Sequence, residues 1–153
     1  MKQHMVDVCV VGGGPAGMIA GLLLSKAGLK TLVLEQHADF EREYRGEVLM
    51  PRFTQMMKQI GLFSYLETFP HLKLTGFEGY FHNKPFFRIG IDQIAPEAPF
   101  AIWMPQPVML RALHEKGKTL PAFDLWFHSP AKQLIEEEGK VTGLVVEKNH
   151  EDV

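Results

Sequence analysis

Residues 10–17 read VVGGGPAG, three consecutive glycines and a proline set directly behind a run of β-branched residues. Glycine weakens both helices and strands, so three in a row mark a place where the backbone turns sharply and something comes close to it. The flanks identify the turn. Residues 6–11 are almost unbroken apolar, the pattern of a strand buried on both faces of a parallel sheet. Pro15 suits the first turn of a helix, where its missing N–H is not needed. Ala16, Ile19, Ala20, Leu23 and Ala27 then recur at helical spacing until Gly28 ends the helix. Residues 31–34 read as a second buried strand, with Glu35 at its end. Strand, glycine turn, helix, strand and acid make one βαβ unit.

Gly12, Gly14 and Gly17 fit the pattern GxGxxG, in which each glycine has its own physical task. Gly12 permits the tight turn, Gly14 leaves room for a pyrophosphate against the backbone, and Gly17 lets the helix lie close on the strands. The phosphates would meet a helix N-terminus, where unpaired N–H groups and the positive end of the dipole attract anions. Glu35 lies 18 residues beyond Gly17 (35 − 17), where a carboxylate accepts both ribose hydroxyls of an adenosine and repels a 2′-phosphate. The unit is therefore expected to bind a dinucleotide, and NADP is disfavoured there. A turn that merely tightened βα packing would explain Gly17 but neither Gly14 nor the placement of Glu35.

Past Glu35 the rhythm changes to a polar, turn-prone stretch, and Pro51 is expected to start a helix running to Gly61. A short helix stopped by Pro70 follows. LTGFEGYF and PFFRIGI then read as two strands joined through Asn83 and Lys84. Residues 93–107 carry four prolines and read as an irregular crossing. A helix from Pro107 to Gly117 precedes FDLWF, AKQLIEEE and KVTGLVVEK, taken together as a three-stranded meander whose last two strands join at Glu138 and Gly139. The expected division is residues 1–70 as the βαβ unit with its following helices, 71–104 as a β-hairpin segment of a second domain, and 105–153 as a helix and meander returning to the first.

Composition works here by exclusion. A net charge of −2 without clustered Lys or Arg gives no pull toward nucleic acid or an anionic membrane. Cys9 is the single cysteine, so no internal disulfide forms, and its apolar neighbours make it a small buried hydrophobe. The longest later apolar run, MIAGLLL, is too short for a bilayer, no secretory cleavage site follows the N-terminus, and a cytoplasmic location is expected. His4, His71, His82, His114, His128 and His150 are scattered without metal-ligand spacing, so no metal site is expected. His37 reads either as an exposed loop residue or as part of an adenine pocket. Phe77, Tyr80, Phe81, Phe86 and Phe87 read as plain core, with the wall of an apolar substrate pocket as the alternative. No serine nucleophile of the GxSxG type is present, and no catalytic acid or base is visible.

Taken with RGEVLMPR (residues 45–52) and QPVMLRAL (residues 106–113), VVGGGPAG and LVLEQ (residues 32–36) make nearly the whole chain resemble the N-terminal portion of FAD-dependent monooxygenases of the para-hydroxybenzoate hydroxylase-like group. The resemblance implies an α/β fold, a Rossmann-like FAD-binding βαβ unit interleaved with the start of a β-rich substrate domain. It also implies that Arg45 and Gln106 contact the flavin cofactor, a guanidinium reaching phosphate or flavin-edge oxygens and an amide offering donor and acceptor together. From the residues alone, Arg45 reads rather as a solvated loop arginine beside Glu41, Glu43 and Glu47. The candidate cofactor contacts are thus Gly12, Gly14, Pro15, Ala16, Gly17, Glu35, Gln36, Arg45 and Gln106.

The activity implied is hydroxylation of an aromatic or similar electron-rich small molecule, with NAD(P)H as co-substrate and O2 as oxygen source through a flavin hydroperoxide. The family's later motifs, an Asp-Gly after a further strand and a Gly-Asp at the flavin ribityl chain, do not occur here. The chain is accordingly expected to be incomplete relative to the family. Halogenation, prenyl reduction, an NAD-binding dehydrogenase half and a non-catalytic FAD-binding fragment remain as alternatives, since one scaffold hosts many chemistries.

Overall fold

In the computed structural model the described residues are 3–41, 47–148 and 151–152. The elements run β1 (Val8–Val11), α1 (Pro15–Lys26), β2 (Thr31–Leu34), β3 (Val48–Leu49), α2 (Pro51–Gln59), α3 (Phe63–Leu66), β4 (Leu72–Leu74), β5 (Gly76–Phe81) and β6 (Lys84–Gly90). After these come α4 (Ile91–Ile94), β7 (Ala101–Trp103), α5 (Gln106–Gly117), β8 (Phe123–Trp126), β9 (Ala131–Glu137), β10 (Lys140–Lys148) and β11 (Glu151–Asp152). Two compact units result: unit 1 holds Met1–Glu41 and Leu113–Val153, and unit 2 holds Arg42–Ala112.

Unit 1 is built on a parallel sheet in the order β1-β2-β8. Val8 pairs with Thr31 and Thr31 with Phe123, so β2 is the central strand, and all four of its residues are buried. Strand alternation divides its side chains between two faces. Val33 turns toward α1, where a methyl on Gly21 would lie 2.6 Å from Val33 Cγ2, too close for any residue but glycine. Leu32 and Leu34 turn the other way and pack with Val146 of β10, joined by Cys9, Trp126 and Leu144. The β9–β10 hairpin thus covers the face that α1 does not.

Local sequence accounts for the helix. Pro15 is its first residue, Ala27 its C-cap, and Gly28 takes φ +91, donating to the Ser25 carbonyl at 3.0 Å. The β9–β10 turn places Glu138 at φ 50 and Gly139 at φ 75, the doubly left-handed backbone that matches the twist of a two-residue hairpin.

Unit 2 contains a small antiparallel sheet in the order β3-β7-β4, with α2 packed on α3 and on β7. It also contains the separate β5–β6 hairpin.

Several expectations need correction. FDLWF does not join a meander: β8 pairs in parallel with β2, because its alternating Phe123 and Leu125 complete the face under α1. The proline-rich crossing holds a strand, β7, which both β3 and β4 use as their partner. Leu74 ends β4 rather than opening the hairpin, and the hairpin turns at His82 (φ 47) and Asn83 (φ 60), not at Asn83 and Lys84. The first strand starts at Val8 rather than residue 6, and it is only partly buried, Val11 being 62 % exposed. The hairpin aromatics are not core. Tyr80, Phe81, Phe86 and Phe87 are exposed, with Phe86 at 78 %.

Candidate cofactor site

The glycine turn lies between β1 and α1, and three of its four glycines are constrained, each for a different reason. Gly12 takes φ +107, a conformation that disfavours any side chain, and its N–H donates to the Leu34 carbonyl at 2.8 Å. A Cβ on Gly17 would sit 1.9 Å from the Gly12 carbonyl oxygen, so the helix could not approach the turn with any larger residue. On Gly13 it would meet the Glu35 side chain at 3.0 Å. Gly14 differs from all three: its φ of −74 is ordinary and nothing lies within 4 Å of a Cβ placed there. Neither strain nor packing within the protein calls for glycine at that position.

Gly14 is the N-cap of α1, and no side chain caps the helix. Its carbonyl accepts from Met18 N–H at 2.9 Å, which begins the helical ladder. Pro15 has no N–H to offer, while those of Ala16 and Gly17 belong to the first turn, which has no intrahelical acceptors. The turn therefore presents an uncapped positive helix end beside open space, a cradle suited to an anion.

Glu35 is 2 % exposed, and both of its carboxylate oxygens accept backbone hydrogen bonds. Gly13 N–H donates to Oε2 at 3.1 Å and His37 N–H donates to Oε1 at 2.9 Å. The same residue's backbone ties β2 to the end of β8: its N–H donates to the Trp126 carbonyl at 2.8 Å, and its carbonyl accepts from Ser129 N–H at 2.9 Å. Burying a carboxylate is costly unless it is so bonded, and charge-assisted bonds to N–H groups supply the compensation. Glu35 thus braces the glycine turn from below. This second task was hidden in the sequence, where Glu35 showed only as an acid at the right distance.

The other candidates divide as follows. Gln36 is exposed at the end of β2, its amide 3.3 Å from His37 Nε2. His37 is likewise exposed. Gln106 opens α5 in unit 2 and is partly buried. Arg45 lies outside the described residues. Cys9 is a free thiol whose pKa burial pushes up, which makes it a packing group rather than a nucleophile. Among the described residues no cluster of three His, Cys, Asp or Glu side chains is disposed to hold a metal, and no helix is long and apolar enough to cross a membrane.

Comparison with known proteins follows the same lines. Residues 5–152 match the family described as FAD binding domain. The 6-methylpretetramide 4-monooxygenase of Streptomyces rimosus is 28 % identical over 139 residues, 91 % of this chain and 33 % of that protein. The digeranylgeranylglycerophospholipid reductase of Thermoplasma acidophilum is 30 % identical over 149 residues, 96 % of this chain and 36 % of that protein. The p-nitrophenol 4-monooxygenase of Pseudomonas putida DLL-E4 shares the fold, with a TM-score of 0.83 at 21 % identity over 95 % of this chain and 37 % of that one. The chain spans about a third of the length of these proteins.

Proposed function

The chain belongs to the FAD binding domain family, and from that premise we propose that its glycine turn holds the pyrophosphate of FAD in an NAD(P)H-dependent monooxygenase acting on an aromatic or similar small molecule. The observation that supports this best is Gly14, a glycine with no structural reason of its own at an uncapped helix N-terminus. A side chain there would fill the space a pyrophosphate needs.

In this reading the N–H groups of Ala16 and Gly17 face the phosphates, with Gly12 and Pro15 setting the turn that aims them. Glu35, at the end of β2, accepts ribose hydroxyls, and Gln36 flanks it. Arg45 contributes a charged donor to the cofactor and Gln106 a neutral donor and acceptor. Residues 71–104 begin the part of the protein that faces the substrate. When bound, the flavin supplies electron transfer from NAD(P)H and activation of O2, while the protein supplies position and a water-poor pocket.

Reduction of a prenyl double bond is the second reading, favoured by the likeness to the archaeal reductase along 96 % of this chain. One experiment separates the two. Titration with FAD, followed by NAD(P)H oxidation assays with and without O2 and a panel of phenols, should give flavin binding and substrate-dependent O2 uptake for a monooxygenase. Flavin binding with turnover that needs no O2 would favour the reductase, and absence of flavin binding would overturn both.

A further inference from the structure

Unit 2 carries a pocket of about 530 Å3 between the end of α2, the start of α3 and β4. Its apolar part is Phe63 and Phe100, ring centroids 6.2 Å apart and planes tilted by 41°. Two ammonium groups meet these rings. Lys58 Nζ stands 5.1 Å from the centroid of Phe63 and 5.6 Å from that of Phe100, and Lys73 Nζ stands 4.9 Å from Phe100. Both lysines are within the range in which a ring face attracts a cation.

The charges do not balance within the pocket. Lys73 donates to Glu67 Oε1 at 2.8 Å, which neutralises it. Lys58 has no carboxylate partner among the described residues, so two lysines against one glutamate leave the lining with one positive charge in excess. Bringing a second cation to a ring that already has one is unfavourable unless an anion joins them. Ser64, exposed at the same pocket, adds a hydroxyl donor. One excess charge, two donors and an aromatic floor suit a small organic monoanion, and the volume falls in the range of small-molecule sites.

We propose that this pocket binds a small aryl carboxylate, its carboxylate on the Lys58 ammonium with help from Ser64 and Lys73, its apolar body against Phe63 and Phe100. Every lining residue lies in unit 2, so the site is independent of the flavin reading. The test is an NMR titration of the whole chain with 3-phenylpropanoate, its neutral amide and 2-phenylethyl phosphate, following the backbone signals of Ser64 and Lys73. The carboxylate should shift those signals and the amide should bind more weakly by about tenfold or more, the size of one charge-assisted hydrogen bond. Lys58→Met should weaken the carboxylate by the same factor, while Lys58→Arg should restore it. Equal binding of acid and amide, an unchanged affinity in Lys58→Met, no shift with any probe, or response to the phosphate ester alone would each overturn the assignment. FAD affinity, measured alongside, should be the same in all three proteins.

Discussion

Gly14 and Gly17 sit three residues apart in one turn, and the structure assigns them opposite sensitivities. For Gly17→Ala the new methyl would lie 1.9 Å from a backbone oxygen, which no rotamer change relieves. Helix and turn must separate, at a cost of about 1–3 kcal/mol typical of overpacking. In a chain of this size that lowers Tm by roughly 2–12 °C. For Gly14→Ala the methyl meets nothing within 4 Å and the φ of −74 suits alanine. The loss of unfolded-state freedom then favours the variant by about 0.4–1 kcal/mol, whereas alanine is a poorer N-cap than glycine by a similar amount. The two nearly cancel, leaving a net change within about 0.5 kcal/mol. FAD binding should respond the other way. The Gly14 methyl should displace the pyrophosphate enough to break at least one charge-assisted bond, about 1.5–3 kcal/mol or ten- to a hundredfold in Kd. Urea unfolding without flavin, paired with fluorescence titration of FAD, measures both quantities. The reasoning is refuted if Gly14→Ala unfolds as easily as Gly17→Ala, or if it binds FAD as tightly as the parent.

Three further outcomes are expected. Glu35→Gln keeps the size but turns an N–H donor toward one of the two N–H groups it now accepts, and urea unfolding should show a loss of about 1–3 kcal/mol. Arg45→Ala should weaken FAD by about 1.5–3 kcal/mol and Gln106→Ala by about 0.5–1.5 kcal/mol; wild-type affinity of the arginine variant at two salt concentrations would return Arg45 to a surface role. His114, in edge contact with Phe40 and Phe127, has its pKa held below the ordinary 6.5, first by burial and then by the Lys118 charge. Because the unfolded chain takes up the proton more readily, stability is complete above the ordinary value and falls as pH drops from there through the lowered one. Unfolding compared between about pH 7.5 and about pH 5.5 should show this loss, diminished in His114→Gln.

The βαβ unit was legible because its determinants are local. Pro15 starts α1, Gly28 ends it, and the β-branched residues of β2 declare a buried strand whatever lies around them. β8 was misplaced for the opposite reason. Phe123–Trp126 looks the same whether it pairs with the next strand in sequence or in parallel with β2, and only the space left under α1 decides. β7 was hidden because three residues among prolines carry no periodicity. The hairpin aromatics show a further limit: alternation reveals a strand, but not whether either face is covered. At the site, glycine spacing exposed the turn, whereas the hydrogen bonds from Gly13 and His37 to Glu35 join residues whose proximity only folding creates.

Those two hydrogen bonds bear on how such a site can change over evolutionary time. A lineage drifting toward a ribose that carries a phosphate would need to exchange Glu35 for a small or cationic residue, since a carboxylate repels the added charge. In this chain that exchange would also strip the acceptors from the Gly13 and His37 N–H groups. If Glu35 holds the ribose as proposed, selectivity and folding are tied to one side chain, and the path to a new preference runs first through other residues able to take over the two N–H groups. Until they arise, the stability of the turn itself would hold Glu35, and the preference proposed for it, in place.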